Sequence, residues 1–180
     1  MRLFAGIEIP EKHRDRLSMV AGPLPGARWV DDDDMHITLR FAGDIDNRVA
    51  GEFADFLALI DVDPFAIRIG DLGVFGGREP RVIYAGVEGG ERLDILQRAT
   101  DRAARSAGLQ PEGRNWRPHV TLARLRGTSP DEVARFLSTC PRLELPPFTV
   151  ERFVLFSSRP NVGGGPYVVE EAYPLRGTLR

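Results

Sequence analysis

The sequence predicts an α+β fold with largely antiparallel sheets, and three observations carry that prediction. Strand-like and helix-like segments are mixed along 180 residues, of which 42% are apolar, enough for a packed core without disulfides. Several neighbouring strands are joined by links too short for a crossover helix, which requires antiparallel pairing. One strand-then-helix unit also occurs twice, which predicts a bilobal molecule of two pseudo-symmetric lobes within a single domain over residues 1–180.

Residues Arg2 to Ile9 are apolar and alternating enough for a strand, and Pro10 opens a helix to about Val20, since a first-turn proline forfeits no helical hydrogen bond. The Gly22-Pro23-Leu24-Pro25-Gly26 cluster ends it. Trp29 and Val30 form a second strand region before an aspartate loop, and Met35 to Phe41 follow as a strand. A helix from about Asn47 to Ile60 puts Val49, Phe53, Phe56, Leu57 and Ile60 on one face. Phe65 to Val74 and Arg81 to Val87 read as a hairpin around Phe75-Gly76-Gly77. A long helix from about Glu91 to Ala107 stops at Gly108, and a loop then carries Trp116 to a strand from Pro118 to Leu125. Ser129-Pro130-Asp131-Glu132 has the form of a capping box and starts a helix that ends near Pro141. Two last strands, Phe148 to Phe156 and Tyr167 to Tyr173, flank Gly163-Gly164-Gly165.

The balance of 24 basic against 26 acidic residues, a net charge of −2, excludes a surface that is polycationic throughout. Charge is nevertheless uneven. Seven arginines lie between Arg98 and Arg126 against only Asp101 and Glu112, whereas Asp31 to Asp34, Asp44 and Asp46 dominate the segment from Arg28 to Asp46. The aspartate run reads as a solvated loop. Cys140 is the one cysteine, which excludes an intramolecular disulfide and a cysteine-rich zinc site. No stretch reaches the length of a membrane span and the opening MRLFAGIEIP lacks a signal-like apolar core, so a cytoplasmic monomer without membrane contact is expected.

The repeated unit carries the chemistry. His36-Ile-Thr-Leu leads into a helix with Phe53 seventeen positions after the histidine, and His119-Val-Thr-Leu leads into one with Phe136 at the same spacing. On a strand, residues two apart share a face, so His36 joins Thr38 and His119 joins Thr121, while the apolar alternates anchor the strand. A lone histidine on a half-buried strand is more often a packing residue, but two in matched positions, from three histidines in all, point to a pair. Imidazole, with an ordinary pKa of about 6.5, can serve as general base in one copy and general acid in the other. Such a pair flanks a phosphate for in-line displacement, with the threonine hydroxyls donating to non-bridging oxygens. No His-Glu-x-x-His helix, Gly-x-Ser-x-Gly elbow, Walker loop or dinucleotide fingerprint is present, so no metal and no cofactor are expected. His13, among Lys12, Arg14 and Arg16, reads as a surface residue, and Trp29 and Trp116 as either core packing or platforms for a nucleobase.

The residues of both motifs and their flanks, with the opening MRLFAGIEIP, HITLRFAGD, PRVIYAGV, RPHVTLARL and the glycine-rich loop before Tyr167, run over nearly the whole chain. In them the sequence resembles the two-histidine (2H) phosphoesterase superfamily. Within it the likeness is to the bacterial and archaeal RNA 2′,3′-cyclic phosphodiesterases, the ThpR or LigT family once called 2′-5′ RNA ligases. The resemblance implies a bilobal α+β fold, helices outside and one His-x-Thr motif per lobe lining a central groove, and hydrolysis of a terminal 2′,3′-cyclic phosphate, on RNA ends or nucleotides, to a 2′-phosphomonoester. It further implies His36 as proton donor to the departing 3′ oxygen and His119 as the acceptor that activates water, with Thr38, Thr121 and Arg124 on the phosphate. Simple alternation puts Arg124 on the face opposite His119 and gives Arg40 the right parity, unless a bulge re-aims Arg124. A non-catalytic binder of RNA ends and a mainly 2′-5′ joining enzyme are the competing readings.

Overall fold

The computed structural model describes residues 2–158 and 166–176, so the Gly163–Gly165 loop expected from the sequence lies outside the described residues. Nine strands and four α-helices are formed among them. β1 (Arg2–Glu8) is buried on both faces, and Pro10 caps α1 (Glu11–Ser18). β2 (Ala27–Trp29) leads to a 3-10 turn at Asp32–Asp34 and then to β3 (His36–Asp44) and α2 (Asn47–Ala58). The hairpin expected next is β4 (Phe65–Phe75) with β5 (Val82–Glu88), its turn taken by Gly76 and Gly77, both at positive φ. α3 (Gly90–Ser106), β6 (His119–Leu125) and α4 (Pro130–Thr139) follow, and α4 has the full capping box between Ser129 and Glu132.

Expectation and structure part at the next element. Phe148 to Phe156 is two strands, β7 (Phe148–Val150) and β8 (Arg152–Ser158), interrupted at Glu151; β9 (Val168–Pro174) completes the sheet. The sheet order is β7-β4-β5-β6-β3-β1-β8-β9, with β2 added on β6, and every pairing is antiparallel. β7 and β8 therefore lie in opposite halves of the strand order although one residue separates them, so the sheet must curl until its far edge approaches β8. The two halves meet at β3 and β6 through a single paired position, Ile37 with Val120. That sparse seam separates the motif strands enough to leave a groove between them.

The main core lies where the helices cover the sheet. Phe53 and Leu57 of α2, Leu93 and Leu96 of α3, and Ile37, Leu39, Val120 and Leu122 of the motif strands belong to it. Phe53 is fully buried, and its truncation to alanine is expected to cost about 3–5 kcal/mol. Phe56, placed on that same face by periodicity, is exposed instead, because α2 presents a narrower stripe to the sheet. His13 is also a correction: it is buried, its Nε2 bonded to the Pro146 carbonyl at 2.8 Å and its ring edge-on to Phe148. α1 turns that side of its first turns toward the chain before β7, a long-range contact with no local signature in the sequence.

Candidate active site

Both motif strands begin at their histidine, and both carry the same irregularity three residues later. Thr38 pairs with Gly6 but Arg40 pairs with the adjacent Ala5, leaving Leu39 as an extra residue. Likewise Thr121 pairs with Tyr84 but Ala123 with Ile83, leaving Leu122 extra. Each is a β-bulge, and a bulge reverses the alternation beyond it. Burial follows: Leu39 and Arg40 are both buried and Phe41 is exposed, while Leu122 and Ala123 are both buried and Arg124 is exposed. The fifth residue after each histidine is thereby returned to the histidine face. Arg124 faces the groove for this reason, and Phe41 is its counterpart in the other half.

Arg40, the residue favoured by simple parity, is also in the groove wall, but the bulge turns its side chain into the protein. It is buried, with Nε donating to Asp101 Oδ1 at 2.9 Å, Nη1 lying 3.5 Å from Glu112 Oε2, and Nη2 donating to the Gln110 carbonyl. Its charge is committed to two carboxylates, and it anchors the loop that enters β6. Trp116 in that loop donates from Nε1 to the Thr38 carbonyl at 3.0 Å, tying the loop across the seam while the indole lines the groove. Trp29 is elsewhere: its Nε1 donates to the Gly22 carbonyl at 3.0 Å and its ring packs against Phe136.

His36, Thr38, His119, Thr121 and Arg124 line one groove of about 740 Å³. The two imidazoles are oriented alike. His36 Nδ1 bonds the Asp34 carbonyl at 2.8 Å and His119 Nδ1 bonds the Arg117 carbonyl at 2.7 Å, in each case two residues upstream. A carbonyl only accepts, so each Nδ1 carries the hydrogen and each Nε2 is the basic nitrogen of the neutral ring. Thr38 Oγ1 lies 3.0 Å from His36 Nε2 and donates to it in that state.

Aromatic rings wall in both imidazoles. Phe4 lies 4.8 Å from the His36 ring, Tyr167 5.0 Å and Phe156 5.5 Å; Phe75 lies 4.9 Å and Tyr84 5.6 Å from His119. Burial among these rings pushes His36 down to about 4; the Asp34 carbonyl bond works against that, and the charges of Arg124 and His119 add to it. Burial also lowers His119, opposed by its bond to the Arg117 carbonyl. The sequence allows one ring to be charged near neutral pH; in the folded groove burial disfavours the charged form of both. Among the described residues, no three His, Cys, Asp or Glu side chains converge to hold a metal ion.

A family model described as the 2'-5' RNA ligase superfamily matches residues 13–161. The chain belongs to the 2'-5' RNA ligase superfamily. Curated relatives named RNA 2',3'-cyclic phosphodiesterase include a Bacillus subtilis protein, 38% identical over 67% of this chain and 69% of its own length. One from Methanothermobacter thermautotrophicus is 30% identical over 97% of this chain and 99% of its own. Another, from Aeropyrum pernix, is 38% identical over 63% of this chain, a match that spans 64% of that protein. Among solved structures, E. coli LigT in apo form aligns with a TM-score of 0.79 at 22% identity over 98% of both chains. A Thermus thermophilus protein aligns at 0.77 and 26% identity, over 99% of this chain and 100% of its own.

Sequence reasoning about this superfamily member missed the residues that fix the imidazoles. Asp34 acts through its carbonyl, and its Oδ1 also accepts from the Tyr167 amide at 3.3 Å, so the aspartate run is not merely solvated. Asp33 pairs with Arg14 at 3.1 Å. Backbone acceptors leave no side-chain signature. The shared offset of two residues becomes visible only when both histidines are seen to use it.

Proposed function

We propose that the chain hydrolyses RNA-terminal 2′,3′-cyclic phosphate to a 2′-phosphomonoester by metal-independent acid-base catalysis, with His36 as proton donor and His119 as proton acceptor. The observation that carries this reading is the matched pair of Nε2 atoms, each set by a carbonyl on the opposite ring nitrogen and each lining the same groove. The relatives named RNA 2',3'-cyclic phosphodiesterase support the substrate.

In the reaction His119 Nε2 takes a proton from water as its oxygen attacks phosphorus, the bond from phosphorus to the 3′ oxygen breaks, and His36 Nε2 delivers a proton to that oxygen. Thr38, Thr121 and Arg124 stabilise the charge that gathers on the non-bridging oxygens. Arg124 is suited to this because its bulged strand returns it to the groove, and among the described residues it has no carboxylate within ion-pair distance. His36 at about 4 is a poor resting acid. The bound phosphate supplies an anion beside the ring, favours the imidazolium and charges the donor on arrival. Phe41, half exposed at the groove wall, offers its ring to the terminal nucleobase.

The reading extends to a cytoplasmic monomer acting on RNA ends or nucleotides with this phosphate; among the described residues no helix is long and apolar enough to cross a membrane. The test is incubation with an RNA oligomer ending in 2′,3′-cyclic phosphate in the presence of EDTA, with the product isomer assigned. A 2′-phosphate is expected, lost in His36→Ala and His119→Ala. No opening, or opening that survives both substitutions, overturns the proposal, and tight salt-sensitive binding without turnover would make the chain a binder.

A further inference from the structure

The groove holds more positive charge than one reacting phosphate calls for, and that charge is gathered at one end. β3 runs antiparallel to β6 with Ile37 opposite Val120, so Phe41 lies at the end where the chain enters β6 through Arg114, Trp116 and Arg117. The bond from Trp116 Nε1 to the Thr38 carbonyl fixes that placement. Arg2 belongs to the same end, because Phe4 pairs with Phe41 and Arg2 lies just beyond it on β1. Arg2, Arg114 and Arg117 all line the groove, and among the described residues none has a carboxylate within ion-pair distance. Arg40 shows the contrast: it lies in the same wall and is neutralised by Asp101 and Glu112.

The opposite end has the other character. Asp34 lines it, with Asp31 to Asp33 immediately behind; Arg14 pairs with Asp33, Arg81 faces Glu79, Arg124 is assigned to the reacting phosphate, and Arg28, opposite Arg124 on β2, does not line the groove. A polyanion leaving the reaction centre is repelled at the aspartate end and attracted at the arginine end.

We infer that Arg2, Arg114 and Arg117 form a second anion subsite that takes the phosphodiester on the 5′ side of the terminal nucleoside, so that the groove is built for an RNA strand rather than a lone cyclic nucleotide. The site is open to solvent, so it contributes through charge-assisted hydrogen bonds that weaken with salt. Phe41, Trp116 and the three guanidinium groups make that end a place for a base and a backbone phosphate together. This inference rests on the proposed hydrolysis.

The test uses two dinucleotides ending in 2′,3′-cyclic phosphate, each with a deoxy 5′ nucleoside so that the internal linkage cannot cyclise. They differ only in that linkage, an anionic phosphodiester in one and an uncharged methylphosphonate in the other. The wild-type chain is expected to favour the charged substrate about tenfold in kcat/KM, the size of a charge-assisted contact, and to lose most of that preference between about 50 and about 200 mM salt. In Arg2→Gln and Arg114→Gln the preference should shrink toward unity while kcat/KM on the methylphosphonate substrate is unchanged. A 5′-phosphorylated mononucleotide that matches the charged dinucleotide would assign the subsite to free nucleotides and overturn the RNA strand as its occupant. Equal turnover of both dinucleotides by the wild type, or a full preference kept by both variants, overturns the subsite and leaves the hydrolysis standing. Turnover of neither by the wild type overturns the hydrolysis itself.

Discussion

Acidification should destabilise this protein through His36 in particular. Its ordinary value of 6.5 applies in the unfolded chain and about 4 in the folded one, because Phe4, Phe156 and Tyr167 withhold water from the charged ring. Between those two values the unfolded state binds more protons than the folded state, so stability falls as pH falls. The stabilisation is complete above pH 6.5 and is lost as the pH drops toward about 4. At about 1.36 kcal/mol per pH unit, the interval of 2.5 between 6.5 and about 4 gives about 3 kcal/mol. His119 is lowered too and adds a loss of the same sign. His36→Gln removes one titrating ring and isolates its share. Urea unfolding followed at pH 7 and pH 4, in buffer free of phosphate, should therefore show the wild type losing about 3 kcal/mol more than His36→Gln. Equal losses in the two proteins would refute the burial argument. A His36 resonance titrating near 6.5 in the folded protein would do the same. The linked expectation is that inorganic phosphate, binding between the histidines, raises the His36 midpoint.

Three further outcomes follow from the geometry. Arg124→Ala should lower kcat by about 10²–10³, as expected for a lost donor to transition-state charge, and should raise the His36 midpoint seen by NMR, because the guanidinium now holds it down. Phe41→Ala should weaken substrate binding by about 1–3 kcal/mol, read in KM, while urea stability stays near wild type because the ring is 52% exposed. Arg40→Met should cost about 3 kcal/mol of stability in urea by stranding Asp101 and Glu112, although Arg105 still holds Asp101 at 3.2 Å. Supplying a second change, Asp101→Asn with Arg40→Met, should recover part of that loss.

The four motif residues were legible in the sequence because their grouping depends only on the two-residue period of a strand, which His36 with Thr38 and His119 with Thr121 obey. The elements themselves were equally legible where the signals are local: the capping box at Ser129, the Gly76-Gly77 turn, the apolar stripe of α2. Arg124 and Arg40 were not separable in this way. Parity favoured Arg40, and the bulges at Leu39 and Leu122 reversed it, because pairing with β1 and β5 decides where a strand gains a residue. Nor could local pattern divide Phe148 to Phe156 at Glu151, bury His13 against Pro146, or set both imidazoles on the Asp34 and Arg117 carbonyls.

The sequence by itself determined the α+β class, the repeat, the pair of His-x-Thr faces and the family they resemble. Tertiary structure alone decided which of the two arginines keeps its charge free in the groove, which ring nitrogen is basic, that burial lowers both histidines, and where Arg2, Arg114 and Arg117 come together. The physical reason is range. Strand period, helix caps and turns are set by neighbours in sequence, whereas bulge position, desolvation and charge balance are set by residues that only folding brings within a few ångströms.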